Sequence, residues 1–204
     1  MQSRWNDADA ARCNTPLELR VYTSRLLGQE RSLVLHGGGN TSVKTSVPNL
    51  FGDLEDVLYI KGSGWDLAAI APAGFAPVRL DVLRRMADLP ELSDTAMVRA
   101  QRAAMTDPDA PTPSVEAILH AIIPAAYVDH THADAVVTIS NTPDGEARIR
   151  ALFGDSVLVV PYVMPGFVLA RAVRELTRST DWSRISGIVL LHHGVFTFAD
   201  DART

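Results

Sequence analysis

The sequence predicts an α/β domain, because short apolar strand patterns alternate along the chain with segments that carry helix-capping signals. Of the 204 residues, 47% are hydrophobic, which is enough to build a substantial core. Runs such as Val157–Val160 are short and rich in β-branched residues, whereas Pro16–Gly28 follows a capping threonine and ends at a glycine. The spacing of these elements alone does not separate an α/β from an α+β arrangement, nor parallel from antiparallel pairing.

The first half of the chain opens with the clearest helix signal. Thr15 can cap a helix whose first turn contains Pro16, Glu18 completes a capping box, and Gly28 is a plausible stop. The patterns that follow predict strands at 32–35 and 57–60 and helices at 78–86, at about 93–105 with Ser93 as its cap, and at 112–124.

The second half continues the alternation. It predicts an extended segment at 127–132, a helix at 133–140, strands at 157–160 and 187–191, a helix at 167–178, and a further strand that begins at 196–198. A typical α/β domain would then supply a covering helix. The chain is therefore expected to be one domain, residues 1–204, that is cut short at its C-terminal end.

Composition excludes several classes of function. The formal net charge is −5 and there is no basic stripe, so neither nucleic acid nor an anionic membrane is an expected partner. The single Cys13 excludes an internal disulfide framework and a cysteine-rich zinc site. No apolar stretch of 18 residues is present, and the N-terminal residues lack the apolar core of a signal peptide, so the expected compartment is the cytoplasm.

Three histidines form the strongest functional pattern. His130 and His132 are two positions apart at the end of an apolar run, so in an extended chain their imidazoles point to the same side. His192 and His193 follow another predicted strand, on which they would face opposite ways, so one of the two is expected to bind. Three imidazoles with an open position are typical of catalytic zinc. The alternative is an ordinary edge-strand pair and a turn.

A carboxylate stands upstream of these histidines. Glu116 is predicted to lie in the first turn of its helix, with His120 one turn later on the same face. Glu116 is either a general acid/base beside the metal or a charge that complements the helix dipole. His36 and His120 are predicted to be structural rather than ligating.

Two loops of small residues each follow a predicted strand. The first supplies possible anion donors from Gly38, Gly39, Asn40, Thr41 and Ser42, and the second from Gly62, Ser63 and Gly64 beside Lys61. Consecutive glycines let backbone N–H groups converge on an anion, so the two loops could hold one phosphate. Neither matches the dinucleotide fingerprint or a Walker loop. The alternative is two tight turns.

The order of these motifs resembles the class II aldolase/adducin family over residues 15–200. The resemblance lies in the segments Gly39-Asn40-Thr41-Ser42, Gly62-Ser63-Gly64, Ser114-Val115-Glu116, His130-Thr131-His132, Pro165 to Ala170 and His192-His193-Gly194. His192 departs from the asparagine that is usual before the last ligand. The sequence around Gly39 and Lys61 is most similar to the aldolase part of certain bacterial bifunctional proteins. Those proteins join a rhamnulose-phosphate aldolase to a short-chain dehydrogenase.

The resemblance implies a fold, a chemistry and an assembly. The fold would be three-layered, α/β/α, around a mixed or antiparallel sheet. Zn²⁺ or another divalent metal on His130, His132 and His193 would act as a Lewis acid. Glu116 would exchange a proton, and the loops would hold the substrate phosphate. The reaction would be retro-aldol cleavage of a ketose 1-phosphate to dihydroxyacetone phosphate and a hydroxyaldehyde such as lactaldehyde, in a homo-oligomer, by resemblance a tetramer.

The same scaffold allows other functions. An epimerase or dehydratase would keep the histidines and move the acid/base group. A non-catalytic adducin-like interaction module would have no need of the histidines or of Glu116, so their presence favours an enzyme. A cleavage assay discriminates between these readings.

Overall fold

The computed structural model describes residues 2–204, in which eight α-helices and seven strands alternate. The helices are α1 (Asp7–Ala10), α2 (Pro16–Gly28), α3 (Leu80–Ala87), α4 (Asp94–Ala103), α5 (Ala117–Ile122), α6 (Asp134–Ser140), α7 (Gly145–Phe153) and α8 (Phe167–Thr177). The strands are β1 (Asn40–Pro48), β2 (Leu54–Lys61), β3 (Phe75–Arg79), β4 (Tyr127–Thr131), β5 (Val157–Val160), β6 (Gly187–Leu190) and β7 (Gly194–Ala199).

All seven strands form one mixed sheet in the order β3-β2-β1-β4-β7-β6-β5. The pair β5–β6 is parallel, and the other neighbours are antiparallel. Strand β4 lies at the centre, between β1 and β7, which come from opposite ends of the chain. Residues far apart in sequence therefore meet at the end of β4.

Helices cover both faces of the sheet, which confirms the predicted three-layer architecture. On β6, Ile188 and Leu190 pack into the main core with α3, α5 and α8, whereas Val189 between them packs into a second cluster with Ile149 of α7. Successive side chains of a strand point to opposite faces, so these two clusters lie on opposite sides. A third cluster, around Val21 of α2, covers β3 through Phe75.

The helix-capping signals are confirmed. Thr15 Oγ1 accepts the backbone N–H of Glu18, and the Glu18 carboxylate accepts the backbone N–H of Thr15, so both halves of the predicted capping box are formed at α2. Ser93 caps α4 in the same way, by accepting the N–H of Ala96. The predicted strands at 157–160 and 187–191 and the helices at 133–140 and 167–178 match β5, β6, α6 and α8 within about one residue.

Other predicted elements are wrong. Residues 32–35 form a turn and irregular chain instead of a strand, and the first strand is the polar segment Asn40–Pro48. The segment 78–86 is divided between the end of β3 and α3, and the helix predicted at 112–124 begins at Ala117. The prediction also missed α7. No helix within residues 2–204 is long and apolar enough to cross a membrane.

Candidate metal centre and acid/base site

Three histidines meet where β4 ends beside β7. His130 is the fourth residue of β4, His132 follows the strand, and His193 lies in the turn that joins β6 to β7. Antiparallel pairing places Thr131 opposite Val195, so this turn lies next to the end of β4. One nitrogen of each imidazole lies within 4.8 Å of the other two. The pairing of β4 with β7 therefore brings together the three residues that the sequence predicted as ligands.

The rings are close enough to share one ion. Nε2 of His130 and Nε2 of His132 are 3.2 Å apart, and the ring centroid of His193 lies 4.9 Å from that of His130 and 5.5 Å from that of His132. His130 is buried and stacks on Phe196, with ring centroids 4.4 Å apart, whereas His132 is exposed. The stacking fixes the ring of His130, and the exposed side of His132 leaves the cluster open to solvent.

Burial keeps two of these imidazoles neutral. Burial, followed by repulsion from His132, lowers the pKa of His130 to about 3. Burial and repulsion from His130 lower the pKa of His193 to about 4, although Glu116 acts in the opposite direction. Neutral imidazole is the form that binds a metal, so the site does not require deprotonation near neutral pH.

The neighbouring His192 is turned away from this cluster, as expected of the second histidine. It lies in the turn with a left-handed backbone, φ 59°, and is exposed. Its Nδ1 lies 3.2 Å from Asn141 Oδ1. The predicted reason was wrong, because both histidines lie within the turn, and the left-handed backbone at His192, not the alternation of a strand, directs the two side chains differently.

Glu116 lies beside the three histidines and is buried. One oxygen, Oε2, is 3.5 Å from Nε2 of His130, and the other, Oε1, is 3.6 Å from Nε2 of His193. Burial raises the pKa of Glu116, while the hydrogen bond from Asn40 lowers it. Oε1 has no hydrogen-bond partner among residues 2–204. Three imidazoles and a buried, unpartnered carboxylate oxygen are a donor set that suits zinc.

Glu116 immediately precedes α5 and does not lie within its first turn. Its side chain makes no capping hydrogen bond to the helix. Its carboxylate instead accepts a hydrogen bond from Asn40 Nδ2 over 2.6 Å. The position of this carboxylate is therefore set by the sheet and the histidines, which speaks against the alternative that Glu116 is merely a helix-start charge.

The polar residues of β1 are divided between the two faces of the sheet. Asn40 and Ser42 point toward α5, where Asn40 Oδ1 contacts His120 Nε2 and Ser42 Oγ lies 2.8 Å from His120 Nδ1. Thr41 points to the opposite face, and its hydroxyl is 2.7 Å from that of Ser24. All three β1 side chains are buried. Thr41 and Ser42 therefore have internal partners and are not free phosphate donors, contrary to the prediction.

The two glycine loops do lie side by side. A Cβ built on Gly37 would be 3.5 Å from the carbonyl oxygen of Gly64. Several predicted donors are nevertheless engaged, because the N–H groups of Gly38, Gly62 and Ser63 donate to the carbonyl oxygens of Leu35, Gly74 and Thr112.

The remaining predicted phosphate donors differ in their exposure to solvent. Gly39 is buried, and its added Cβ would lie 2.8 Å from the carbonyl oxygen of His130. Ser63 and Gly64 are exposed, and Gly64 has the positive φ of 81° that favours glycine. The hydroxyl of Ser63 and the backbone of Gly64 are therefore the best-placed groups for an anion.

Lys61 has a role that the sequence did not indicate. Its ammonium donates to the carbonyl oxygens of Gly37 and Gly39, over 2.8 and 3.0 Å. Burial lowers its pKa, and its nearly complete burial places it beneath the first loop. Lys61 thus ties that loop to the end of β2, where the prediction had treated it only as a nearby cation.

Gly194 allows the histidines to approach one another. A Cβ at this position would lie 2.9 Å from His130 Cε1, 3.0 Å from His132 Cδ2 and 2.5 Å from the carbonyl oxygen of Thr131. The first and last of these distances are shorter than real Cβ contacts, so the crowding of two rings and a carbonyl oxygen at this point requires glycine.

With this geometry in place, comparison with known proteins identifies the family. Residues 18–204 match the model of the class II aldolase and adducin N-terminal domain. The chain belongs to this family. It is also 34% identical over 200 residues to YuxG, an uncharacterized oxidoreductase of Bacillus subtilis (strain 168). That match covers 98% of this chain and 29% of YuxG, so the chain spans about three-tenths of that relative.

Solved class II aldolase structures show the same fold. The N-terminal class II aldolase domain of a conserved protein from Thermoplasma acidophilum is 40% identical, with a TM-score of 0.89 over 100% of this chain and 91% of that chain. L-fuculose-1-phosphate aldolase from Thermus thermophilus is 20% identical, with a TM-score of 0.53 over 89% of this chain and 81% of that chain. The second similarity concerns the fold alone.

Proposed function

We propose that this domain is a metal-dependent lyase of the class II aldolase type that cleaves a ketose 1-phosphate. The observation that carries the proposal is the convergence of His130, His132 and His193 within 4.8 Å, with the buried Glu116 carboxylate 3.5–3.6 Å from two of them. A purely structural module has no use for three imidazoles gathered around a buried, unpartnered carboxylate oxygen.

The three histidines would hold Zn²⁺ or another divalent ion. When bound, such an ion supplies Lewis acidity toward the carbonyl and hydroxyl oxygens of a substrate. The exposed side of His132 leaves room for those oxygens, and the stacking of His130 on Phe196 keeps the opposite side closed.

Glu116 is the proposed general acid/base. In retro-aldol cleavage of a ketose 1-phosphate, the C4 hydroxyl gives up its proton as the C3–C4 bond breaks, and C3 takes one up. The products are dihydroxyacetone phosphate and a hydroxyaldehyde, such as lactaldehyde from rhamnulose 1-phosphate. Burial raises the pKa of Glu116, which is the direction that favours a carboxyl group as a general acid/base.

The substrate phosphate is proposed to bind at the second glycine loop. Ser63 and Gly64 are exposed there, and the first loop lies beside them through the contact of Gly37 with Gly64. This proposal uses fewer phosphate donors than the sequence predicted, because most donors of the first loop already have hydrogen-bond partners within the protein. Lys61 supports this arrangement from below by holding Gly37 and Gly39.

The domain is proposed to act as a homo-oligomer in the cytoplasm and to be joined to an oxidoreductase unit in a longer protein. The link to an oxidoreductase unit is supported by the similarity to YuxG, which is described as an oxidoreductase. This chain matches only 29% of YuxG, so most of that protein lies outside the matched domain. A longer parent also explains why the predicted similarity was to bifunctional proteins.

Metal analysis together with a cleavage assay tests the proposal. The protein is expected to hold about one divalent ion per chain, and to release dihydroxyacetone phosphate from at least one member of a panel of ketose 1-phosphates. The corresponding free sugars should be poor substrates. Metal binding without turnover, by both this chain and the full-length parent, would contradict the lyase assignment and favour an interaction module.

A further inference from the structure

A directed chain of hydrogen bonds runs from β1 and α5 to Glu116. Its links are Ser42 Oγ to His120 Nδ1 over 2.8 Å, His120 Nε2 to Asn40 Oδ1, and Asn40 Nδ2 to Glu116 Oε2 over 2.6 Å. Every member is buried, and His120 is fully so. Ser42 and His120 have no exposed surface and Asn40 and Glu116 have little, so the polar atoms depend mainly on their neighbours in the chain.

The direction of each link follows from donor and acceptor chemistry. An ionised carboxylate only accepts, so the Asn40 amide must present its N–H to Glu116 and its oxygen to His120. That oxygen only accepts, so His120 must carry its proton on Nε2. A neutral imidazole has one N–H, so Nδ1 is left to accept the hydroxyl proton of Ser42. Burial holds the pKa of His120 well below its ordinary value, which agrees with the neutral form.

We propose that His120 is a positioning residue that orients Asn40 as a donor and thereby fixes the carboxylate of Glu116 against the metal-binding histidines. Without the Nε2–H group, the amide of Asn40 is free to turn and present its oxygen to Glu116. Two facing oxygens would repel each other, and the carboxylate would move from its place. This inference rests on the proposed function, because it gives Glu116 the proton exchange.

The helix that carries His120 is suited to this role. The backbone N–H of His120 donates to the carbonyl oxygen of Glu116 over 3.2 Å, so both residues belong to the same turn of chain. The ring of His120 packs edge-on against Phe196, the same residue on which His130 stacks. One aromatic side chain of β7 therefore supports the ligand and the positioning residue together.

Three variants separate positioning from packing. His120→Gln retains an N–H donor where His120 places Nε2, whereas His120→Leu removes it. Leu119→Ala, on the same helix and in the core, serves as the control for loss of packing.

The kinetic expectation follows from this design. His120→Leu should lower kcat by about 10–100-fold with a small change in KM and with zinc content retained, as is typical when the support of a metal site is lost. His120→Gln should keep at least about tenfold more of the wild-type kcat than His120→Leu. Leu119→Ala should lower the melting temperature without this loss of kcat. Equal losses in His120→Gln and His120→Leu would overturn the proposal.

A direct readout does not depend on activity. Nitrogen-15 NMR of histidine-labelled wild-type protein distinguishes the two neutral tautomers of His120, and the signal is assigned by its absence in His120→Gln. The expected result is a proton on Nε2 with Nδ1 as an acceptor, both with and without zinc. A proton on Nδ1 would overturn the proposal even if His120→Leu fails to fold. Inactivity of the wild-type protein on every substrate would instead count against the proposed function alone.

Coupling between the two residues gives a further check. If His120 acts through Asn40, the kcat of the double variant His120→Leu, Asn40→Ala should resemble that of Asn40→Ala alone. If the loss of kcat in the double variant equals the product of the losses in the two single variants, His120 acts by another route, and the proposal is overturned.

Discussion

Asn40 and Glu116 are 76 positions apart in the chain, and a 2.6 Å hydrogen bond joins Asn40 Nδ2 to Glu116 Oε2. This bond links the first residue of β1 to the residue before α5. It opposes the effect of burial on the Glu116 pKa, because a donor stabilises the ionised carboxylate. The acid/base candidate is thus balanced between a buried environment that favours its proton and a neighbour that favours its charge.

Loss of any one histidine of the triad should strongly reduce metal content. We expect His130→Ala, His132→Ala and His193→Ala each to do so when zinc is measured by mass spectrometry, since three protein ligands are typical of a catalytic site. His36→Ala, at an exposed histidine outside the triad, is the control.

The neighbouring His192→Asn should keep the metal. It should also raise stability slightly, because asparagine tolerates the left-handed backbone at φ 59° better than histidine does. Metal loss in His192→Asn with retention in His193→Ala would reverse the ligand assignment.

Gly194→Ala should weaken metal binding by about tenfold or more. The added methyl group would press on the rings of His130 and His132 and displace them. A loss of about 1.4 kcal/mol in the free energy of metal binding is enough for a tenfold weaker affinity. Zinc affinity from competition with a chelator measures the effect. Gly154→Ala introduces the same methyl group at a positive-φ glycine with open space around it, and should leave the affinity unchanged.

Glu116→Gln should preserve the fold and remove most turnover. General acid/base groups typically contribute about 10²–10⁴-fold, so kcat should fall by that order while zinc content stays near the wild-type value. Glu91→Gln, on an exposed residue between α3 and α4, is the matched control. A rate close to wild type would show that Glu116 carries no proton in the reaction.

Lys44 should make stability depend on pH above neutrality. Its ammonium lies 2.6 Å from the carbonyl oxygen of Ala125, and burial, followed by repulsion from Arg84, lowers its pKa from 10.5 to about 7. Between these values the unfolded chain binds more protons, so the free energy of unfolding rises with pH, by up to about 1.4 kcal/mol per unit. This contribution is complete above pH 10.5 and is lost as the pH falls through 7.

Urea unfolding at about pH 7, 8 and 9 tests this dependence against the variant Lys44→Met. The difference in unfolding free energy between wild type and variant should grow with pH in favour of the wild type. A constant difference would show that Lys44 keeps an ordinary pKa in the folded protein.

Inorganic phosphate should raise the melting temperature if the second loop binds an anion, because a ligand of the native state alone stabilises it. The shift should shrink in Ser63→Ala, which removes an exposed hydroxyl from that loop and leaves its backbone in place. Ser183→Ala, at a distant exposed serine, should respond as wild type does. The absence of a shift in wild type at tens of millimolar phosphate would argue against the site.

Local signals predicted much of this fold. The capping box at Thr15 and the short β-branched strands near residues 157 and 187 depend on neighbouring residues, so the sequence suffices to locate them. Strand β1 was missed because Asn40, Thr41 and Ser42 are polar. Their burial depends on partners in α2 and α5, which no local pattern displays. The apolar run at 32–35 has the composition of a strand, but in the structure it pairs with no strand of the sheet.

The candidate site was predictable only in part. The spacing of His130 and His132 on a strand indicated a shared direction, and Glu116 was noted because it begins a helical pattern. The chain of contacts through His120 was not foreseen, since His120 was expected to have a structural role. A signal was present in the four-residue spacing from Glu116, which places the two on one side of a helix. Only the structure shows that Asn40 lies between them.

The central position of β4 has a consequence for how the protein matures. The third proposed ligand, His193, joins the other two only when β7 has paired with β4, and this pair closes a loop of more than sixty residues. A nascent chain that has not yet released β7 holds only two of the three proposed ligands, fewer than a tight catalytic site uses. Under the proposed function, capture of a metal would therefore be a late event in biogenesis, and metal retention would distinguish a finished sheet from a partly assembled one.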